Sequence, residues 1–139
     1  MNKPLSASNA SNELALLSLV VPVFNERSML PIFFDHVLPI LASLDMRSEI
    51  ILVDDGSEDG GAEFIKTVIK KEPSIRLVKL SRNFGKEAAV TAGLENTRGN
   101  AVIVLDADLQ DPPEHIPEMV GAWKSGFDFV LVSSIIICV

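Results

Sequence analysis

Between Leu105 and His115 the chain reads LDADLQDPPEH, and Asp106 and Asp108 stand two residues apart at the end of the apolar run AVIVL. Gln110 adds a neutral oxygen two residues further on. Carboxylates this close repel one another, and each resists leaving water. A divalent cation, a helix N-terminus or plain solvent can compensate. In an extended chain the two side chains share one face, and in a turn they converge. Oxygen ligands of this kind suit Mg²⁺ or Mn²⁺, hard ions commonly held by one or two carboxylates and completed by substrate phosphates. Such an ion would also carry charge on a departing diphosphate. A solvated acidic loop, helped by the dipole of a helix starting at Pro113, accounts for the same residues without a function.

A second acidic loop, VDDGSEDGG, pairs Asp54 and Asp55 with glycines that permit tight turns. Carboxylates there can accept from a base N–H or from ribose hydroxyls. A turn with Ser57 or Asp59 capping the next helix explains them equally well. No G-x-G-x-x-G follows the first apolar run, which leaves a dinucleotide-binding reading poorly supported.

The elements that must position these loops follow from hydrophobic spacing. Leu16–Val23 reads as a buried strand. Asn25 is placed to cap a helix whose apolar face is Leu30, Phe33, Phe34, Val37, Leu38 and Leu41, with Pro31 in its first turn and Pro39 kinking or shortening it. Further strands are expected at Glu49–Val53, Ile75–Leu80, Ala101–Leu105 and Phe127–Val132. Helices lie between them, the last starting at Pro113 with Met119 and Trp123 in its core stripe. Alternation of this kind predicts an α/β fold with a mostly parallel sheet and helices on both faces. Ligands of such sheets bind beyond the carboxyl ends of the strands, where Asn25-Glu26, Asp54-Asp55, Ser81-Arg82-Asn83 and Asp106-Ala107-Asp108 all fall.

The 139 residues suffice for one domain, expected at 14–139 behind a loose Ser/Asn/Ala-rich tail at 1–13. A net charge of -7 argues against a nucleic-acid partner. Seven of the 12 Lys/Arg fall between Lys66 and Lys86, and Lys66, Lys70 and Lys71 read as a wet helix face. Cys138 is the only cysteine, which excludes an internal disulfide. His36 and His115 read as solvated or capping residues. No apolar run reaches the ~18–20 residues that span a bilayer.

Taken together, PVFNE, VDDGSEDG, SRNFGKEAAVTAGL and LDADLQDPPEHIPEM, in this order and spacing, resemble the family 2 glycosyltransferases, and within them the polyprenyl-phosphate sugar transferases. The resemblance runs from about Leu17 to about Val132. It implies a GT-A fold, an α/β sandwich that binds a nucleotide-sugar. Pro22, Phe24 and Glu26 then match the motif lining the nucleotide pocket. Asp55 matches the residue that holds the base, with Asp54 sharing that work. Asp106 and Asp108 match the catalytic metal and diphosphate motif, with Ala107 between them at the donor and Gln110 as a third metal-side ligand. Arg82, Asn83 and Lys86 lie in a stretch the subfamily shares, near the donor phosphates. The resemblance further implies a UDP- or GDP-sugar donor, Mg²⁺ or Mn²⁺, a polyprenyl phosphate acceptor, and inversion at the anomeric carbon. The place of work would be the cytoplasmic side, at the inner face of the membrane.

Past Val132 the chain reads SSIIICV where a polar stretch is expected. On this reading the chain is a truncated form that keeps the donor half, and the fifth strand ends it as an exposed apolar edge. A nucleotide-binding fragment without transfer activity is the alternative. A phosphotransfer protein is disfavoured, because aspartyl phosphatases carry D-x-D after the first strand, where this chain has Asn25-Glu26.

Overall fold

The computed structural model describes residues 15–127, 129–132 and 135–138, the last two stretches as backbone. The tail expected at 1–13 and the side chain of Cys138 lie outside the described residues. Strands and helices alternate: β1 (Leu16–Val23), α1 (Leu30–Ala42), β2 (Arg47–Asp54), α2 (Gly61–Ile69), β3 (Ile75–Lys79), α3 (Lys86–Glu95) and β4 (Ala101–Val104). A 3-10 turn at Pro113–His115 leads into α4 (Ile116–Lys124), followed by β5 (Phe129–Val132) and β6 (Ile135–Cys138). The sheet order is β3-β2-β1-β4-β6-β5. The first four strands run parallel, and β6 runs antiparallel to both of its neighbours.

Each central strand buries both faces, as its continuous apolar sequence predicts. On one face Leu17, Leu19 and Val21 of β1 and Ile50 and Leu52 of β2 join Phe33 and Val37 of α1, Ile65 of α2 and Met119 of α4 in one cluster. On the other face Ile51 and Val53 meet Ala89 of α3. Each fully buried Leu, Ile or Phe contributes on the order of 1.5–3 kcal/mol. Helix α3 approaches the sheet through small residues. A Cβ at Gly93 would collide with Val20 Cγ1 and lie 3.1 Å from Val53 Cγ2.

Three expectations need correction. Of the two effects expected of Pro39, shortening does not occur: helix α1 continues to Ala42, and Pro39 is exposed, so the carbonyl that loses its partner is on the wet side. Asn25 caps no helix. It adopts a left-handed φ of 52° and joins two loops instead, its amide donating to Ser57 Oγ (2.8 Å) and its Oδ1 accepting from the Glu58 amide (2.9 Å). The fifth strand is not the last: Ile135–Cys138 form β6, and β5, though it is the sheet's outer edge, pairs through β6 to β4. A run of β-branched residues extends a sheet readily, and Ile135–Ile137 is such a run.

At the opposite ends of the strands sits a buried polar cluster. Glu49 accepts from Ser18 Oγ (2.5 Å), from the Arg98 amide (2.8 Å) and from Arg76 Nη2 (2.9 Å). Burial pushes the Glu49 carboxyl up, but the Ser18 hydroxyl, the Arg98 amide and the Arg76 guanidinium outweigh it and hold the group below its usual 4.5. A lowered folded value stabilises the protein fully above the unfolded value, and that share is lost as pH falls through the folded one. Glu49→Gln is therefore expected to cost about 2–3 kcal/mol at pH 7, with a deficit that narrows below about pH 4.5. Urea unfolding of both proteins at pH 7 and pH 4 measures it; a deficit independent of pH would contradict this assignment.

Candidate functional site

The carboxyl ends of β1, β2 and β4 open into one cleft of about 250 Å³. Pro22 and Val23 form its floor at the end of β1, and Phe24, 46% exposed, stands at its rim. Asp55 enters from the end of β2, Asp106, Ala107 and Asp108 from the end of β4, and Gly85 and Lys86 from the start of α3. The first turn of α3 thus faces the cleft, with its free amides and the positive end of its dipole.

Leu109 holds a left-handed φ of 61°, unusual for a residue with a side chain. The Leu109 amide closes a turn onto the Asp106 carbonyl, and its side chain packs against the core. Asp106 and Asp108 both line the cleft from this turn, past the end of β4. Glu26 registers their presence: its carboxyl is pushed above the usual range by burial first, then by the charges of Asp108, Asp106 and Asp59. Lys86 Nζ lies 2.8 and 2.9 Å from the two oxygens of Asp106. Both side chains are partly exposed, and such pairs add little to stability, about 0–1 kcal/mol, so the contact exchanges readily.

Asp106 and Asp108 offer hard oxygen donors, and Asp106 already accepts a cationic group. Among the described residues no three His, Cys, Asp or Glu side chains gather closely enough to hold an ion alone. A divalent cation here would need oxygens from a bound diphosphate, which is the ordinary regime for Mg²⁺. The donor set fits that group on those terms.

Of the other expected residues, Pro22, Phe24, Glu26, Asn83, Lys86 and Ala107 line the cleft. Asp55 also reaches it, but both carboxylate oxygens accept backbone amides, Oδ1 from Phe84 (2.8 Å) and Oδ2 from Gly85 (3.0 Å). Asp54 is not brought to the cleft. It is fully buried, with Oδ1 accepting from the Ser57 amide at 3.2 Å and Oδ2 unpartnered among the described residues. Gln110 is exposed and outside the cleft lining, its amide donating to Asp108 Oδ1 at 3.2 Å. Arg82 turns away to stack 4.2 Å from the Phe84 ring and lines a neighbouring recess with Asn25 and Ser57. His36 is exposed against the Ile32 carbonyl, and His115 lies 3.5 Å from Glu118.

Sequence reading missed Gly85 and the interlocking of the loops. Arg27 donates its amide to Asp59 Oδ2 at 2.8 Å, alongside the Asn25 contacts, so the loops after β1 and β2 form one unit. The signal for Gly85 was a glycine just before a predicted helix, a common place for backbone to approach an anion.

The family model for glycosyl transferase family 2 matches residues 18–138, beyond Val132 and through β6. An undecaprenyl-phosphate 4-deoxy-4-formamido-L-arabinose transferase of Aeromonas hydrophila is 44% identical over 121 residues, 86% of this chain and 37% of that protein. A bactoprenol glucosyl transferase of Shigella phage SfX is 44% identical over 115 residues, 83% of this chain and 38% of that protein. The chain therefore spans little more than a third of the length of these relatives. Among solved structures, a mannosyltransferase from Pyrobaculum calidifontis in complex with GDP-Man and Mn²⁺ is similar with a TM-score of 0.60 and 19% identity, over 80% of this chain and 41% of that one. S. aureus TarS 1-349 with UDP-GlcNAc gives the same TM-score and identity over 81% and 32%. At such identity these two speak for the shared α/β fold.

Proposed function

The chain belongs to glycosyl transferase family 2 and has its GT-A fold, and from that premise we propose that it serves the transfer of a sugar from a nucleoside-diphosphate sugar to a polyprenyl phosphate. The observation that carries this reading is the convergence of Asp106, Asp108, Glu26 and Lys86 on one cleft beyond the carboxyl ends of the parallel strands. The activities for which the bacterial and the phage relative are named support the lipid-phosphate acceptor. The ligands of the two solved structures support a GDP- or UDP-sugar donor and a divalent cation.

In this reading Pro22, Phe24 and Glu26 line the nucleoside side of the cleft, and Asp106 and Asp108 would hold Mg²⁺ or Mn²⁺. When bound, that ion supplies positive charge where the diphosphate departs. Lys86 and the first-turn amides of α3 face the same diphosphate, and Asp106 positions the Lys86 ammonium. The acceptor phosphate oxygen forms its bond to the anomeric carbon as the bond to the nucleoside diphosphate breaks, with inversion. A phosphate oxygen is already anionic at neutral pH and needs no general base. Work at the inner face of the cytoplasmic membrane follows from the lipid acceptor. Among the described residues no helix is long and apolar enough to cross a membrane.

Calorimetric titration with UDP and GDP, with and without Mn²⁺, tests the donor site. One nucleotide is expected to bind at least about tenfold tighter with the metal; no metal-dependent binding of either would overturn the reading. Transfer is tested apart from binding, with radiolabelled nucleotide-sugar and polyprenyl phosphate. Because the chain covers little more than a third of its relatives, binding without product would favour the second reading, a donor-binding portion that does not transfer.

A further inference from the structure

We propose that Asp55 is a positioning residue, whose carboxylate fixes the loop from Ser81 to Gly85 and thereby sets where Lys86 stands opposite Asp106. The family resemblance gives Asp55 to the nucleotide base. In the structure Asp55 is 3% exposed, and its carboxylate is bound on both oxygens within the protein. Oδ1 and Oδ2 accept the consecutive amides of Phe84 and Gly85, at 2.8 and 3.0 Å. Charge-assisted hydrogen bonds of this kind are shorter and stronger than neutral ones.

Backbone contacts reinforce the clamp. The Asp55 carbonyl accepts from Asn83 Nδ2 at 3.3 Å, and the Asp55 amide donates to Val23 at 2.9 Å, which ties the clamp to β1. Gly56, at φ +79°, lies so close that a Cβ there would sit 2.5 Å from the Asn83 nitrogen and 2.6 Å from the Arg82 carbonyl carbon. The clamped segment ends at Gly85, and α3 begins at the next residue with Lys86, whose ammonium meets both oxygens of Asp106. A chain of direct contacts therefore runs from the end of β2, through the loop, to the carboxylate at the end of β4. The loop residues Ser81 to Phe84 are exposed and carry little apolar packing of their own, so this clamp is what holds them.

The effect on the loop is independent of the glycosyltransferase reading; only the consequence for nucleotide rests on it. Two measurements keep the two apart. In nucleotide-free protein, Asp55→Asn is expected to speed amide hydrogen exchange at Phe84 or Gly85 by at least about tenfold, with β1 unchanged. A residue that served only a bound base would leave these amides as they were, and that result would overturn the proposal. Should Asp55→Asn not fold, the wild type decides: Phe84 and Gly85 should exchange at least about a hundredfold slower than an unstructured chain, and free exchange would overturn the proposal.

The second measurement is a double-mutant cycle on binding of Mn²⁺ with GDP and of Mn²⁺ with UDP. Asp55→Asn and Lys86→Met are each expected to weaken binding about tenfold, and the double variant also only about tenfold, because both remove the same placed ammonium. Losses that multiply to about a hundredfold would mean that Asp55 acts on the nucleotide directly and would overturn the coupling. If the wild type binds neither nucleotide, the proposed function fails, and the exchange experiment still judges the clamp.

Discussion

Asp108→Ala is expected to abolish metal-dependent nucleotide binding, by at least about a hundredfold, in a protein that still folds. The two halves of this result have separate grounds. Asp108 is half-buried at the cleft, and its carboxylate accepts one backbone amide, from Gln110, across a turn. Losing that bond costs the fold about 1 kcal/mol or less. In the cleft, by contrast, Asp108 is one of the two acidic-loop carboxylates in the lining, and among the described residues no three His, Cys, Asp or Glu side chains gather closely enough to hold an ion alone. Asp108 is a cleaner test than Asp106, whose removal would also free the Lys86 ammonium. Calorimetry with Mn²⁺ and either nucleotide, beside a thermal melt, measures both halves. Unchanged affinity in a folded variant would remove the acidic loop from the site.

Gly93→Ala and Gly121→Ala are expected to move stability in opposite directions. Both glycines lie inside helices, where alanine gains about 1 kcal/mol from propensity alone. At Gly121 nothing lies within 4 Å of an added Cβ, so that gain should appear in full. At Gly93 the added carbon meets Val20 and Val53 on two central strands, neither of which can yield without disturbing the sheet. Overpacking there should cost about 1–3 kcal/mol net, and Gly93→Leu at least about 3 kcal/mol, a drop in Tm on the order of 10 °C. Denaturant midpoints for the three variants measure it. Equal signs at Gly93 and Gly121 would mean that α3 does not press on the sheet as described.

The elements were legible where hydrophobic period was strong. β1, β2 and β4 announce themselves as apolar runs, and α1 by apolar residues three and four apart. The acidic groups at the strand ends were legible because parallel strands send their carboxyl ends to one rim. Local chain geometry was not. Asn25 looked like a cap because its side chain suits that role, but the neighbouring loop offered Ser57 and Glu58 as partners at a distance in sequence that no local rule reaches. Asp54 and Asp55 are adjacent and chemically identical. Both are buried, but Asp54 ends β2 with its carboxylate away from the cleft, and Asp55, one residue past the strand, lines it. Gln110 is exposed outside the cleft lining, beyond Leu109 with its left-handed φ, a local geometry that no spacing rule predicts. The last strand was hidden for a different reason: Ile135–Cys138 carries no sign of direction, and only its pairing shows it to run antiparallel between β4 and β5.

That placement bears on how the polypeptide is made. β6 lies between β4 and β5 although it follows β5 in the chain. As the polypeptide leaves the ribosome, β5 emerges before β6, its one partner among the described residues, has been translated. The four parallel strands can assemble first, and β5 joins their sheet only through β6, which pairs with β4. Arrest of translation before Ile135 would leave β5 unseated and the flank of β4 bare.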